Sequence, residues 1–387
     1  MISKFYIFMV FVSCIFNCSS VKCQNTLRNF GNLKLLNEAQ MGFHVNLVND
    51  GTFDENSGRV GFFGENGFLT VSGAFRPIFY DMEVMVADDL MLEVGVGVTN
   101  NLNLILGDIN TPRSFLDVNL DFIDQAFYSG LSDTTKIDGY ASLTHKKDFT
   151  FPVGYGNEFK PLQLLSEDIN ASAKCAYFQE DPNYPTSIMS SYPTEKRTAK
   201  VTAVSPYEFW DLEAIVPSRV RLFWNQNSRL ENVVEQLKNL RVVGWHIEKD
   251  TWVSLGITMV SGDLQSGTIT SAIFDPQEYG AITFGSLDNK AVADLGNYLL
   301  TPNGDGVNDV LYLDAISLSP GNNSLQIYNR WGRLVYEAED YQNNFDGFAN
   351  VNWVIERNRG LPEGVYFYIL KLHDINFSHQ GYLAIYR

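Results

Sequence analysis

The stretch Leu90-Met91-Leu92-Glu93-Val94-Gly95-Val96-Gly97-Val98-Thr99-Asn100-Asn101-Leu102-Asn103-Leu104-Ile105-Leu106-Gly107-Asp108-Ile109-Asn110-Thr111 decides the fold. It reads as short apolar strands, Leu90 to Val98 and Leu102 to Leu106, set between the turn formers Asp88-Asp89 and Asn100-Asn101. Turn, apolar strand, turn describes the rungs of a short β-solenoid and a meander equally well. No period is regular enough to be a repeat, so β-sandwich and solenoid both stay open for this region.

The same alternation extends outward. Phe43 to Leu47, Val60 to Phe63, Phe68 to Val71 and Ile78 to Val86 are further strands, and Asn49-Asp50-Gly51 and Glu65-Asn66-Gly67 are turns. A β-rich N-terminal module is therefore expected over 24–155. At Phe149-Thr150-Phe151-Pro152-Val153-Gly154 the pattern changes, and Pro152 and Gly154 are expected to break a strand between two domains or sheet edges. A second module, over 156–290, has the look of an immunoglobulin-like sandwich. Its Val220 to Trp224 strand and the Trp245…Trp252 pair would put aromatics across the core. Its one helix candidate is Arg229 to Leu240, with Leu230, Val233, Val234 and Leu237 at helical spacing and Ser228 as N-cap. Asp288 to Asp294 reads as a linker.

Beyond the linker, turn chemistry dominates. Asn303-Gly304-Asp305-Gly306 tolerates positive φ, and Asp346-Gly347 and Glu363-Gly364 are further reversals. Leu325, Ile327 and Val335 alternate at period two, and Val365 to Leu372 suits a central strand. A small antiparallel sandwich follows, and the whole chain is expected to be all-β and multi-domain.

Four landmarks stand in order in this segment. They are Pro302-Asn303-Gly304-Asp305-Gly306 with Asn308-Asp309, Asn329-Arg330-Trp331-Gly332, Asp346-Gly347, and Gly364-Val365-Tyr366; Gly381 and Arg387 close it. The combination resembles the gliding-motility-associated C-terminal domain, the type B sorting domain of cargo exported by the type IX secretion system of Bacteroidetes. The likeness covers residues 299–387, within a sorting domain bounded at 296–387. Phe345 stands where the family more often has Trp, and Val365 where Thr is common. The resemblance implies export through the type IX machinery, a dedicated outer-membrane partner protein and a cell-surface destination.

Composition agrees with an exported β protein. The 387 residues are 45% hydrophobic and 19% charged, so the chain is globular. A net charge of −17 disfavours nucleic acid and docking on anionic lipid. Residues 1–23 have the form of a secretory signal, with Lys4 ahead of an apolar Phe5 to Phe16 and cleavage near Cys23-Gln24. Cys14 and Cys18 raise a rival lipoprotein reading, against which bulky Phe11 and Phe16 count. No later apolar run reaches membrane-spanning length. Cys175 remains in the mature chain, read as a half-buried strand residue, and no disulfide framework is expected.

No catalytic motif is found. The five histidines fall in separate modules, each read as an exposed or hydrogen-bonded loop residue, and His-Glu-x-x-His, Gly-x-Ser-x-Gly and P-loop patterns are absent. Asp88-Asp89, Asp117/Asp121/Asp124 and Glu180-Asp181 are read as carboxylates of solvated faces, with no feature aiming them at one another. Asn303, Asp305 and Asp309 partly match a calcium loop, but its first carboxylate and its bidentate Glu are missing; turn capping is the expected role. No other cofactor is implied. Of the six tryptophans, Trp210 and Trp353 are left as surface candidates for glycan. The expectation is a structural or adhesive surface protein that is not an enzyme. A polysaccharide hydrolase or a glycan-binding module with the same sorting domain is the alternative.

Overall fold

The computed structural model describes residues 25–287, 295–352, 359–373 and 377–387. The secretory signal at 1–23, the linker at 288–294 and Trp353 lie outside them. The described residues form an eight-stranded, a sixteen-stranded and a five-stranded sheet, joined by 3-10 turns and loops.

Strand pairing selects the solenoid for the N-terminal region. Thr26–Asn29, Asn46–Asn49, Leu69–Ser72, Leu90–Leu92, Ile109–Asn110, Ile137–Asp138 and Val153–Tyr155 pair in parallel, in chain order, as one sheet. The strands between them, Gln40–Phe43, Arg59–Gly64, Ile78–Val86, Val96–Leu106, Leu120–Ile123 and Ala141–Phe151, pair in parallel as a second. The chain therefore visits each of the two sheets once per coil. Asn100-Asn101, expected as a turn, lies inside the strand Val96–Leu106. The Asn100 amide donates to Asp81 of the coil below at 2.7 Å, so the polar pair decorates the strand and does not end it.

Coils are unequal, which is why no repeat stands out. One coil separates Asn29 from Asn49 by 20 positions, Asn46 from Thr70 by 24, and Asp108 from Lys136 by 28. What does repeat is the side chain stacked above its counterpart. Leu69, Leu90, Ile109, Ile137 and Val153 form one buried ladder, register partner on register partner. On the facing sheet Phe43 stacks on Phe62 at 5.1 Å, and Phe79 meets Phe53 of a connecting loop edge to face at 5.2 Å. Each such side chain removes roughly 1.5–3 kcal/mol worth of apolar surface from water. Corners are tight: at Gly107, φ 78°, a Cβ would lie 1.9 Å from the Val86 carbonyl of the coil below.

Pro152 stands where the chain steps from the long sheet to the short one. The seventeen-residue strand Leu162–Phe178 then runs antiparallel along Ala141–Phe151. It is also a fork. Its first half pairs with Ser218–Trp224 and its second with Phe209–Glu213. One branch continues to Gly267–Thr270 and Met259–Gly262, the other to Tyr279–Leu287, Leu240–His246 and Thr251–Ser254. A single apolar cluster runs from Phe43 through to Phe284, so coil and branched sheet share one core.

Several expectations are corrected here. Arg229 to Leu240 is not an α-helix. Arg229 takes the left-handed conformation, φ 50°, and splits the segment into 3-10 turns at Gln226–Ser228, Leu230–Asn232 and Leu237–Asn239. Asn225 is the cap, and Ser228 is the third residue of its capping box. Leu230, Val233 and Val234 are nonetheless buried, so spacing found the buried face and missed the backbone. Cys175 is fully buried, not half-buried. Trp210 is also fully buried, its indole N–H donating to the Lys160 carbonyl at 3.0 Å. Trp245 and Trp252 do pair, rings 5.8 Å apart. His145, His246 and His379 lie in strands and not in loops, and His246 is buried.

The C-terminal strands make one five-stranded sheet of mixed direction. Tyr298–Leu300 is parallel to Phe377–Ile385, followed antiparallel by Gly364–Leu372, Asn323–Tyr328 and Leu334–Glu339. This corrects the antiparallel sandwich. Only one sheet is present among the described residues, and its second layer is irregular: Leu311, Leu313, Leu318, Tyr341 and Phe345 complete the apolar cluster.

Candidate functional site: the C-terminal domain and two clefts

In the C-terminal domain most of the sequence landmarks are turns satisfied from within. Asp309 accepts the backbone N–H groups of Asn303, Gly304 and Gly306, the latter two at 2.7 Å, and these bonds hold its carboxyl below the usual range. Asp305 accepts from Val307 N–H at 2.8 Å and Asn303 from Asp305 N–H at 3.0 Å. The three calcium-loop candidates thus do what turn capping requires. Asn308, Gly304 and Gly306 have positive φ. No group of three or more His, Cys, Asp or Glu placed to hold a metal occurs among the described residues.

Asn329 caps the second turn, accepting from Trp331 and Arg333 N–H at 3.0 Å each, while Gly332 takes φ 73°. Asp346 accepts from Phe348 N–H at 3.3 Å. Tyr366 donates its hydroxyl to the Pro362 carbonyl at 2.8 Å, beside Gly364 at φ 144°. Gly381 leaves room for the ring of Tyr368, which a Cβ there would meet at 2.5 Å.

Landmarks far apart in sequence converge on Arg387. Its guanidinium donates to the Gly347 carbonyl at 3.3 Å and lies 5.4 Å from the centre of the Phe348 ring, and its N–H donates to Glu363 at 2.9 Å. A Cβ on Gly347 would touch both Arg387 and Pro302, at 3.4 Å each. Arg330 and Trp331 differ from all of these. Arg330 stacks over Trp331 at 4.1 Å, Trp331 is 70% exposed, and the pair flanks a 480 Å³ groove toward Leu361 and Tyr366.

Residues 293–385 match the family described as CHU_C Type IX secretion signal domain. The signal domain implies export through the type IX system, contact with its machinery, and a surface or extracellular destination. No curated protein and no solved structure matches the chain. No helix among the described residues is long and apolar enough to cross a membrane.

Two clefts among the described residues of the body ahead of the signal domain bear on function. The first, 840 Å³, lies on the outer face of the short-stranded solenoid sheet. Its floor carries Thr70, Met91, Asn110 and Asp138, register partners one coil apart, and Phe68 and Phe115 at its walls are 60% and 66% exposed. Arg113 beside them is committed to the fold, bonding Asp138 at 2.6 Å and the Tyr177 and Gly154 carbonyls.

The second, 950 Å³, lies across the branched sheet. Asp211 and Glu213 project into it from one strand, two residues apart and hence on one face. Tyr140 donates to Asp211 Oδ2 at 2.5 Å, and burial pushes the carboxyl of Asp211 up to about 6. Tyr192, Trp245 and Tyr279 supply aromatic walls. Neither carboxylate was singled out from the sequence; the alternation in Phe209–Glu213 was the available signal. The carboxylates that were singled out serve the fold. Asp88 accepts from Gly67 N–H, Asp89 from Asp108 N–H and the Asn110 amide, and Glu180 from Thr186 N–H. Asp121, expected on a solvated face, is buried and pairs with Arg76 at 2.6 Å, while Asp117 pairs with Lys174 at 3.0 Å and Asp124 with His145 at 3.3 Å.

Proposed function

We propose that this chain is a structural or adhesive cell-surface protein, acting by binding and not by chemistry, with a part in gliding motility. The observation that carries the reading is the signal domain at 293–385, which makes everything ahead of it cargo. The secretory leader at 1–23 takes the chain to the periplasm, and a dedicated outer-membrane partner then receives the signal domain. The cargo itself is a solenoid joined to a branched antiparallel sheet, with clefts open on both. A glycan-binding role is a second reading, supported by the groove between Phe68 and Phe115. Exposed aromatic faces over a hydroxyl and amide floor suit a ring that is apolar on its faces and polar at its edge.

Removal of residues 293–387 tests the reading directly. The truncated protein should accumulate in the periplasm, detected by probing cell fractions for the body. Delivery of the truncated form to the surface at normal levels would overturn it.

A further inference from the structure

From the cleft over the branched sheet, we infer that the body binds an organic ammonium group, the side chain of a lysine or one end of a polyamine, between Asp211, Glu213 and the rings of Tyr192, Trp245 and Tyr279. The floor is polar on one strand and aromatic around it. Asp211 and Glu213 share a face of Phe209–Glu213, with Asp211 half-buried and Glu213 at the exposed mouth. Tyr140 occupies Oδ2 of Asp211, and among the described residues no donor reaches its other oxygen. Tyr192 lies against Gly280, where a Cβ would press on its ring at 3.1 Å, and it stands 5.8 Å from Trp245.

A cation is the ligand that this combination rewards. Aromatic faces attract ammonium groups, and a carboxylate taken out of water is stabilised by a paired positive charge. Among the described residues Lys174 is the one cation lining the cleft; it stands opposite Glu213 in register and is bonded to Asp117 at 3.0 Å, which leaves Asp211 without an ion-pair partner. An anionic ligand would face two carboxylates, and a neutral apolar one would leave Asp211 unpaired.

Proton linkage sharpens the inference. The groups facing Asp211 are Tyr140, Cys175, Tyr192, Glu213 and Lys174. Burial, and after it the Glu213 charge, raise the Asp211 carboxyl to about 6, so a larger share of it is ionised at pH 7.5 than at pH 5. An ammonium ligand binds the ionised form and should bind more weakly in acid.

The test uses the full mature chain and two probes, Nα-acetyl-lysine methylamide and cadaverine, with the norleucine counterpart as the neutral control. Binding is followed by titration calorimetry and tryptophan emission. The expected result is that at least one ammonium probe binds at pH 7.5, about tenfold tighter than the norleucine derivative, and weakens toward pH 5. Asp211→Asn should weaken it by about tenfold and flatten the pH profile. Thermal melting of the same variant shows that the fold is kept. Preference for the lysine derivative assigns a protein partner, and preference for cadaverine assigns a free polyamine. Equal binding of the norleucine derivative, no binding of either ammonium probe, or unchanged binding by Asp211→Asn in a folded protein would each overturn the inference.

Discussion

The solenoid and the signal domain are both β structure, but they are held together differently. In the solenoid each side chain is supported by the equivalent one in the next coil, as in Leu69, Leu90, Ile109, Ile137 and Val153. Contacts are between neighbours along one axis, so a defect should weaken its own coil and the two beside it. In the signal domain short chain reversals carry the specificity, and the landmarks at 302–309, 329–332 and 346–347 cap themselves from their own side chains. One region spends its sequence on faces, the other on turns.

The largest predicted effect lies where the solenoid meets the branched sheet. Lys160 and Glu208 are both buried and 3.1 Å apart. Lys160 also donates to Asn225 at 2.9 Å and Ser228 at 2.6 Å, and Tyr177 donates to Glu208 at 2.7 Å. Burial and the Glu208 charge beside it push the Tyr177 phenol well above its ordinary range. Glu208→Ala should cost about 3–5 kcal/mol, because it strands a buried ammonium. The paired change Lys160→Met with Glu208→Gln should restore much of that. Denaturant unfolding of the three proteins checks it; a mild single mutant would mean that the shared core does not depend on this junction.

Next comes a solenoid corner. Gly107→Ala forces a Cβ against the Val86 carbonyl at a positive φ, and a loss of roughly 2–4 kcal/mol is expected. Hydrogen exchange should show the loss concentrated in the coils around Val86 and Ile109. If protection fell evenly across the body and the signal domain, the coil-by-coil picture would fail.

These contrasts explain what could be read from the sequence. Turn residues act locally, so Asn303, Asp305, Asp309, Asn329 and Gly332 could be placed from their neighbours alone. Strand positions such as Ile78–Val86 could also be found, since a buried face leaves its mark on a short window. Coil stacking could not, because a ladder joins residues at uneven separations, 28 positions from Ile109 to Ile137 and 16 from Ile137 to Val153. The Arg229 to Leu240 spacing misled for a related reason: Leu230, Val233 and Val234 answer to the core beneath them, and 3-10 turns present them as well as a helix would. The Asp211 cleft was hidden because its walls come from four separate strands and a loop.

The smallest stability effect should fall on the signal-domain residues that the fold does not use. Trp331 is 70% exposed at the tip of a turn that Asn329 and Gly332 already hold, and Arg330 rests on its outer face. Trp331→Ala should therefore change stability by no more than about 0.5 kcal/mol. A melting curve checks that half of the prediction. The other half concerns delivery, and tests whether a large aromatic left in water beside an arginine serves as an anchor for the export machinery. Surface delivery of Trp331→Ala should fall while its melting stays that of the parent. Loss of both together would make Trp331 a structural residue after all, and loss of neither would leave recognition to other faces of the sheet, such as the exposed Val365 and Phe367.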